Sequence, residues 1–136
     1  MNEIGEVEVK IEVEVNPTED IDKVRIAVYK IFGEIPLDGS HATDGRMLIA
    51  KANGVEALER FHDLLRRERI FGAARSVLFK GLRGNQITFF MNKQAAYVGH
   101  ASFSEPVGES PLGPIRVEII CDDPQALIDW LAPRTR

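Results

Sequence analysis

The residue types that bind transition metals are few in this chain, and they are scattered. The histidines are His41, His62 and His100, and Cys121 is the single cysteine. Zinc sites usually take two ligands from nearby positions in the sequence, because such a pair fixes half of the tetrahedron. No two of these four residues have i, i+3 or i, i+4 spacing, and no Cys-x-x-Cys is present. The sequence therefore predicts no metal site, and it calls for no cofactor.

The sequence also lacks the usual motifs of covalent catalysis and of phosphate-binding loops. No Gly-x-Ser-x-Gly is present, and Ser110 lies in a proline-rich loop instead of a strand-to-helix turn. Glycines that cradle a phosphate lie between a strand and a helix. The stretch 81–85 (GLRGN) instead follows a predicted helix and precedes a predicted strand. We predict that the protein is not an enzyme.

The charges are unevenly distributed along the chain. Residues 60–93 contain eight basic and two acidic side chains, so this segment carries about +6 and the rest of the chain about −10. Arginine forks suit phosphate recognition, which makes the segment a candidate RNA-binding surface. The alternative is a solvated helix face neutralised by acids elsewhere in the molecule, with Arg75 as half of a buried ion pair. The candidate RNA-binding residues are Arg66, Arg67, Arg69, Lys80, Arg83 and Lys93.

Residues 6–15 alternate between charged and apolar side chains. The odd-numbered positions are Val or Ile, and the even-numbered positions are Glu except for Lys10. This period of two predicts a strand with one buried and one wet face, which favours an antiparallel sheet. Sheet-face RNA binders stack bases on exposed aromatic rings among basic residues. The wet face here is acidic and has no aromatic residue, so we expect any RNA on the helical segment and the 81–85 loop.

Capping signals and apolar spacing predict the other elements. A helix is expected to begin with Asn16 or Thr18 as its cap and to end at Gly33. Asn92 is expected to cap a short turn, and Asp123, which precedes a proline, to open a final helix. The remaining predicted elements are a weak strand within 34–45 paired with 46–52, two helical pieces over 55–79 that break near 71–72, and strands at 86–91, 100–104 and 115–121.

These elements predict an α+β fold, a single mostly antiparallel sheet packed by helices, in one domain spanning residues 1–136. No apolar run approaches the ~20 residues of a membrane-spanning helix. The first residues lack the basic and then apolar pattern of a signal peptide. With one cysteine and no disulfide framework, the expected location is the cytoplasm, and no membrane partner is expected.

Four stretches of the sequence together carry a resemblance to a known family. They are 17–20 (PTED), 74–78 (ARSVL), 92–99 (NKQAAYVG) and 110–115 (SPLGPI). With them the chain resembles, nearly end to end, the archaeal uncharacterised protein family 201 (UPF0201). The resemblance implies a fold similar to that of the ribosomal large-subunit protein that binds 5S ribosomal RNA. It implies no activity, cofactor or catalytic residue.

Two apolar side chains are out of phase with the strands that carry them. If Ile87 and Phe89 face the core, Phe90 faces outward, and Ile120 is likewise out of phase with Ile119. An apolar patch on the sheet predicts a homodimer, unless the final helix or the proline-rich loop covers it. The preferred interpretation is a non-catalytic interaction protein, and the alternative is weak RNA binding through the 60–93 segment.

Overall fold

The structure, a computed structural model, describes residues 4–35, 38–42, 45–105 and 113–134, and for 38–42 and 45–46 it describes the backbone only. Within these ranges all strands belong to one sheet of order β2-β3-β1-β6-β5-β4. Every pairing is antiparallel, as predicted. The strands are β1 (Val7–Val15), β2 (Asp38–Ala42), β3 (Gly45–Asn53), β4 (Leu82–Arg83), β5 (Gln86–Met91) and β6 (Ile115–Cys121).

Helices cover one face of this sheet. The odd-numbered residues of β1, β5 and β6 are buried there, in one core cluster that also takes residues from every helix. The opposite face carries the charged side chains of β1, as its alternation predicted. The result is a two-layer α+β fold with an open sheet face. The helices are α1 (Ile21–Phe32), α2 (Glu59–Arg67), α3 (Phe71–Lys80), α4 (Lys93–Tyr97) and α5 (Pro124–Leu131), with a short 3₁₀ turn at Val55–Leu58 before α2.

Capping residues explain where three of the helices begin. Asn92 accepts a hydrogen bond from the Ala95 N–H, and Asp123 accepts one from the Ala126 N–H, so both predicted caps are confirmed. The predicted cap of α1 was wrong. Asp20 caps that helix by accepting from the Asp22 N–H. Asn16 instead donates to the Glu19 carboxylate from both its backbone N–H and its side-chain amide.

Other predicted features need correction or lie partly outside the described residues. The strand expected at 100–104 is an isolated bridge between Met91 and Phe103, because the chain passes the end of β5 only briefly. The helical break falls at 68–70, just before the expected place. The strand β2 pairs with β3 as predicted, while the turn joining them and the loop 106–112 lie outside the described residues.

An aromatic cluster ties the helical layer to the sheet. The Phe61 ring of α2 is fully buried, 5.2 Å from the Phe32 ring, 5.5 Å from Phe89 and 6.5 Å from Phe103 between centroids. Such rings dominate the burial energy of a core, so α2 is held firmly on the sheet. No helix in the described ranges has the length and apolar character needed to cross a bilayer.

Candidate nucleic-acid interface

Three of the predicted basic residues lie at the turn between α2 and α3. After the last helical residues, the Arg69 N–H bonds to the Arg66 carbonyl and the Ile70 N–H to the Leu65 carbonyl. These two bonds form a Schellman motif, which puts its C′ residue in the left-handed region. That residue is Arg69, with φ 59°, where glycine is the usual choice. Arg66, Arg67 and Arg69 are all exposed, and we call them the α2–α3 turn cluster.

Two more of the predicted residues lie beyond α3. Arg83 pairs with Gln86 across a two-residue hairpin turn, in which Gly84 has φ 62°. The hairpin approaches the end of α3 so closely that a Cβ at Gly81 would lie 2.0 Å from the Thr88 carbonyl oxygen. This close approach fixes the position of Arg83 beside Lys80. Both side chains are exposed, and we call them the α3–β4 turn cluster.

The two clusters lie at opposite ends of α3. The helix has 10 residues, which corresponds to roughly 15 Å at the helical rise per residue. The basic segment is therefore two groups of cations and not one continuous patch. A nucleic-acid backbone of a few nucleotides is long enough to touch both.

Some cations of the segment 60–93 form ion pairs, and others form none with the residues that the structure describes. Arg66 lies 3.4 Å from Asp63, and Arg75 lies 2.8 Å from Asp129 while it also donates to the Ala132 carbonyl. The ion pair predicted for Arg75 is present, but it is not buried as expected, because Asp129 is exposed. Arg83 donates to two backbone carbonyls and has no acidic partner in the described chain. Within those same ranges Arg67, Arg69 and Lys80 form no ion pair.

Lys93 has to be removed from the predicted RNA-binding set. Its side chain is only 5% exposed, and its ammonium donates to the Glu19 carboxylate at 2.9 Å and to the Glu14 carbonyl at 2.6 Å. A cation withdrawn from solvent in this way does not reach a phosphate. Burial alone would raise the pKa of Glu19, but hydrogen bonds from Asn16 and from Lys93 outweigh it and hold that pKa below its ordinary value.

The open face of the sheet is acidic at its centre. Arg116 lies 3.1 Å from Glu12 and 2.9 Å from Glu118, and Lys10 lies 3.3 Å from Glu12. Lys10 and Arg116 are therefore each matched by a carboxylate on their own strand, and Arg116 also by Glu12 on the neighbouring one. Phosphates gain little from such a face, as the sequence predicted.

Two apolar side chains flank this charged centre. Ile120 is 36% exposed, and Phe90 is partly exposed beside Arg116 in the register of β5 and β6. Both point away from the core, as predicted. The final helix packs on the other face and does not cover them, whereas the proline-rich loop, the other expected cover, lies at 106–112 outside the described residues.

Sequence reasoning missed an aromatic side chain at the end of α4. The Tyr97 ring is 37% exposed, and the ammoniums of Lys23 and Lys30 lie 6.0 and 5.7 Å from its centroid. The ring forms one wall of a cleft of about 530 Å³ between α1 and α4. The spacing of Lys23 and Lys30, seven residues apart, does place both on one stripe of α1. Nothing local in the sequence says that Tyr97 faces that stripe.

Comparisons with known proteins place the chain in a family. A family model described as RNA binding matches residues 8–120. A UPF0201 protein of Sulfurisphaera tokodaii is 50% identical over 125 residues, which cover 92% of this chain and 86% of that one. A UPF0201 protein of Thermococcus kodakarensis is 43% identical over 136 residues, covering 100% and 96%. The chain belongs to the UPF0201 family.

The fold of this UPF0201 member also matches a solved relative. The crystal structure of a UPF0201 protein from Methanococcus jannaschii superimposes with a TM-score of 0.85 at 37% identity, covering 95% of both chains. The predicted family is thereby confirmed. The expected similarity to the 5S-RNA-binding ribosomal protein stays a prediction.

Two histidines and the cysteine of this UPF0201 chain have described side chains, and each makes local contacts. His62 stacks on Trp130 at 4.7 Å, and its Nδ1 donates to the Leu131 carbonyl at 3.2 Å, since a carbonyl can only accept. His100 lies 2.6 Å from the Glu68 carboxylate. Burial raises the pKa of the Cys121 thiol to about 11, so it is inert. In the described chain no three His, Cys, Asp or Glu side chains are grouped to hold a metal.

Proposed function

We propose that this UPF0201 protein is a non-catalytic RNA-binding protein that holds RNA by its phosphates. The contacts are the α2–α3 turn cluster and the α3–β4 turn cluster. The observation that carries the proposal is that Arg67, Arg69 and Lys80 are exposed and, within the described ranges, unpaired with any acid. Fixed cations without a carboxylate partner are what an anionic backbone requires. The family model described as RNA binding supports the same ligand.

The distribution of acids favours the helical layer over the sheet as the contact surface. On the sheet face Arg116 lies against Glu12 and Glu118 and Lys10 against Glu12, which leaves Lys51 as the exposed cation there with no ion pair among the described residues. In the two turn clusters, four of the five exposed cations form no ion pair within the same part of the chain. Contacts to phosphates position RNA without reading its sequence, so we expect slight sequence preference. The net charge of −4 repels RNA at long range, so we expect weak binding.

Salt dependence tests the proposal directly. Each neutralised phosphate releases counterions, so every lost contact flattens the slope of log affinity against log salt by roughly 0.7–0.9. We expect Arg67→Ala with Lys80→Ala to weaken binding of all RNA sequences alike and to flatten the slope by up to ~2 units. Fluorescence anisotropy of a labelled RNA hairpin with single-stranded flanks, over a series of salt concentrations, measures both quantities.

A matched control separates local contacts from net charge. Lys10→Ala with Lys51→Ala removes the same charge from the sheet face, and it should leave the slope unchanged. If both double variants behave alike, the two turn clusters are not the contact surface. If the wild type shifts no single-stranded, duplex or structured RNA at low salt, the proposed function is wrong.

We further propose that the protein forms a homodimer, folds as a single domain and is located in the cytoplasm. A homodimer through the open sheet face is supported by Ile120 and Phe90, two apolar side chains that a lone sheet leaves wet. Light scattering at micromolar concentration tests it, and a monomer mass contradicts it.

A single domain over residues 1–136 is supported by one core cluster that runs from Ile4 to Ala132. A cytoplasmic location fits an RNA ligand.

A further inference from the structure

Most of the exposed apolar side chains lie on α1, on α4 or directly after α4. Four large hydrophobic residues of the described chain are clearly exposed, and three of them are on these two helices or directly after them: Ile26 at 39%, Tyr97 at 37% and Val98 at 61%. A folded domain rarely leaves such a group uncovered without a use for it. The fourth, Ile120, lies on the sheet face and belongs to the dimer proposal.

The cleft beside Tyr97 has an apolar floor and a cationic rim. Val24 and Ala27 of α1 line it opposite the Tyr97 ring, and Val98 lies at its edge. Its volume of about 530 Å³ is within the range of small-molecule sites. Lys93 at its inner end is neutralised by Glu19, so the free positive charges are those of Lys23 and Lys30 next to the ring.

We propose that this cleft takes an unpaired base of a bound RNA, stacked on the Tyr97 ring, with Lys23 and Lys30 on its phosphates. The inference rests on the proposed function and extends it to single-stranded RNA. Proteins that hold single strands combine such an aromatic platform with cations along the backbone. The acidic side chain of Asp20 at the cleft mouth caps α1 through the Asp22 N–H, which leaves its other oxygen as an acceptor for an exocyclic amino group.

The cleft and the α2–α3 turn cluster are close enough for one strand of RNA. His100, three residues after Tyr97, contacts Glu68 at 2.6 Å, and the Ala101 N–H donates to the same carboxylate. Three residues of chain span roughly 11 Å at most. Glu68 lies between Arg67 and Arg69, so a strand that leaves the base cleft meets these arginines within a few nucleotides.

The test compares single-stranded with duplex RNA. We expect Tyr97→Leu to weaken binding of a single-stranded oligonucleotide roughly 5- to 150-fold, the range for one lost base-stacking contact, with little change for a blunt duplex. The salt slope should stay as in the wild type, because no phosphate contact is lost. Tyr97→Phe keeps the ring and should bind within about twofold of the wild type. Thermal melting of each variant confirms that it is folded.

The possible outcomes distinguish failure of the base cleft from failure of the proposed RNA-binding function. Single-stranded binding by Tyr97→Leu as tight as that of the wild type overturns the base cleft and leaves the phosphate clusters in place. No binding of either RNA by the wild type overturns both. A labelled oligoglutamate peptide is titrated in parallel. If it binds more tightly than the RNA and Tyr97→Leu abolishes that binding, the cleft belongs to an acidic protein, and the inference is wrong.

Discussion

Lys93 is a cation that the fold withdraws from solvent to hold two distant segments together. It joins α4 to the end of β1 through the Glu14 carbonyl, and to the segment that follows β1 through the Glu19 carboxylate. Asn16 donates to the same carboxylate from its backbone and its side chain, so the charge of Glu19 is well satisfied. Removing one member of a buried pair is strongly destabilising, because the other charge is left behind.

We predict that Lys93→Met lowers the free energy of unfolding by about 3 kcal/mol near neutral pH, because Glu19 then lies buried without its cation. Urea denaturation followed by circular dichroism measures this change. Gln94→Ala, at the exposed neighbouring position, should change stability by less than about 0.5 kcal/mol. Equal stability of Lys93→Met and the wild type would show that the pair contributes nothing.

The lowered pKa of Glu19 predicts how stability depends on pH. A carboxyl whose pKa is lower in the folded state contributes stability above its unfolded value of about 4.5, and that stability is lost as the pH falls through the folded value. Glu19→Gln should therefore be less stable than the wild type at neutral pH, and the difference should shrink in acid. Denaturation midpoints at several pH values check this, and a constant difference contradicts it.

At the scale of elements, the turn between α2 and α3 carries an unfavourable residue. Arg69 has φ 59° at a helix C′ position, where an L residue costs roughly 1–2 kcal/mol relative to the right-handed region. Backbone outliers of this kind gather at functional sites, because selection there acts on the side chain. The guanidinium of Arg69 is exposed and has no acidic partner among the described residues, which is compatible with the proposed phosphate contact.

We predict that Arg69→Gly stabilises the protein by about 0.5–1 kcal/mol, because the relief of the left-handed strain exceeds the greater chain entropy of glycine. The same change should flatten the salt slope of RNA binding by roughly 0.7–0.9, since one phosphate contact is lost. Arg69→Ala is the control, because it loses the contact and keeps the strain. If Arg69→Gly is less stable than the wild type, the strain argument is wrong.

At the scale of the whole molecule, the two layers present different surfaces. The helical layer exposes the two turn clusters and Tyr97, while the open sheet face exposes Ile120 beside an acidic centre. The proposed self-association and the proposed RNA binding would therefore use opposite sides of the molecule. A dimer formed through the sheet would place two sets of turn clusters outward, and each protomer would keep its RNA contacts.

We predict that Ile120→Glu converts a wild-type dimer to a monomer, because two like charges would face each other in a two-fold interface. Light scattering measures the mass, and anisotropy should show RNA binding unchanged per protomer. Ile26→Glu is the matched control, since Ile26 is similarly exposed but lies on the helical layer. A dimer that persists in Ile120→Glu rules out the sheet face as its interface.

Short-range patterns were sufficient for many elements. The strands β5 and β6 have their predicted bounds, and the caps Asn92 and Asp123 are confirmed. Alternation and capping involve neighbours within a few residues, which the sequence displays directly. The cap of α1 failed because several polar residues precede that helix, and local preference does not choose among them.

The sequence by itself determined the two-layer antiparallel fold, the outward direction of Ile120 and the basic character of residues 60–93. Only the tertiary structure decided which of those cations meet solvent. Lys93 is buried because Glu19, 74 positions away, lies beside it. Tyr97 forms a cleft with α1 because the fold brings α4 beside that distant helix. A charge or ring is exposed or engaged according to what packs against it, and that contact joins segments far apart in the chain.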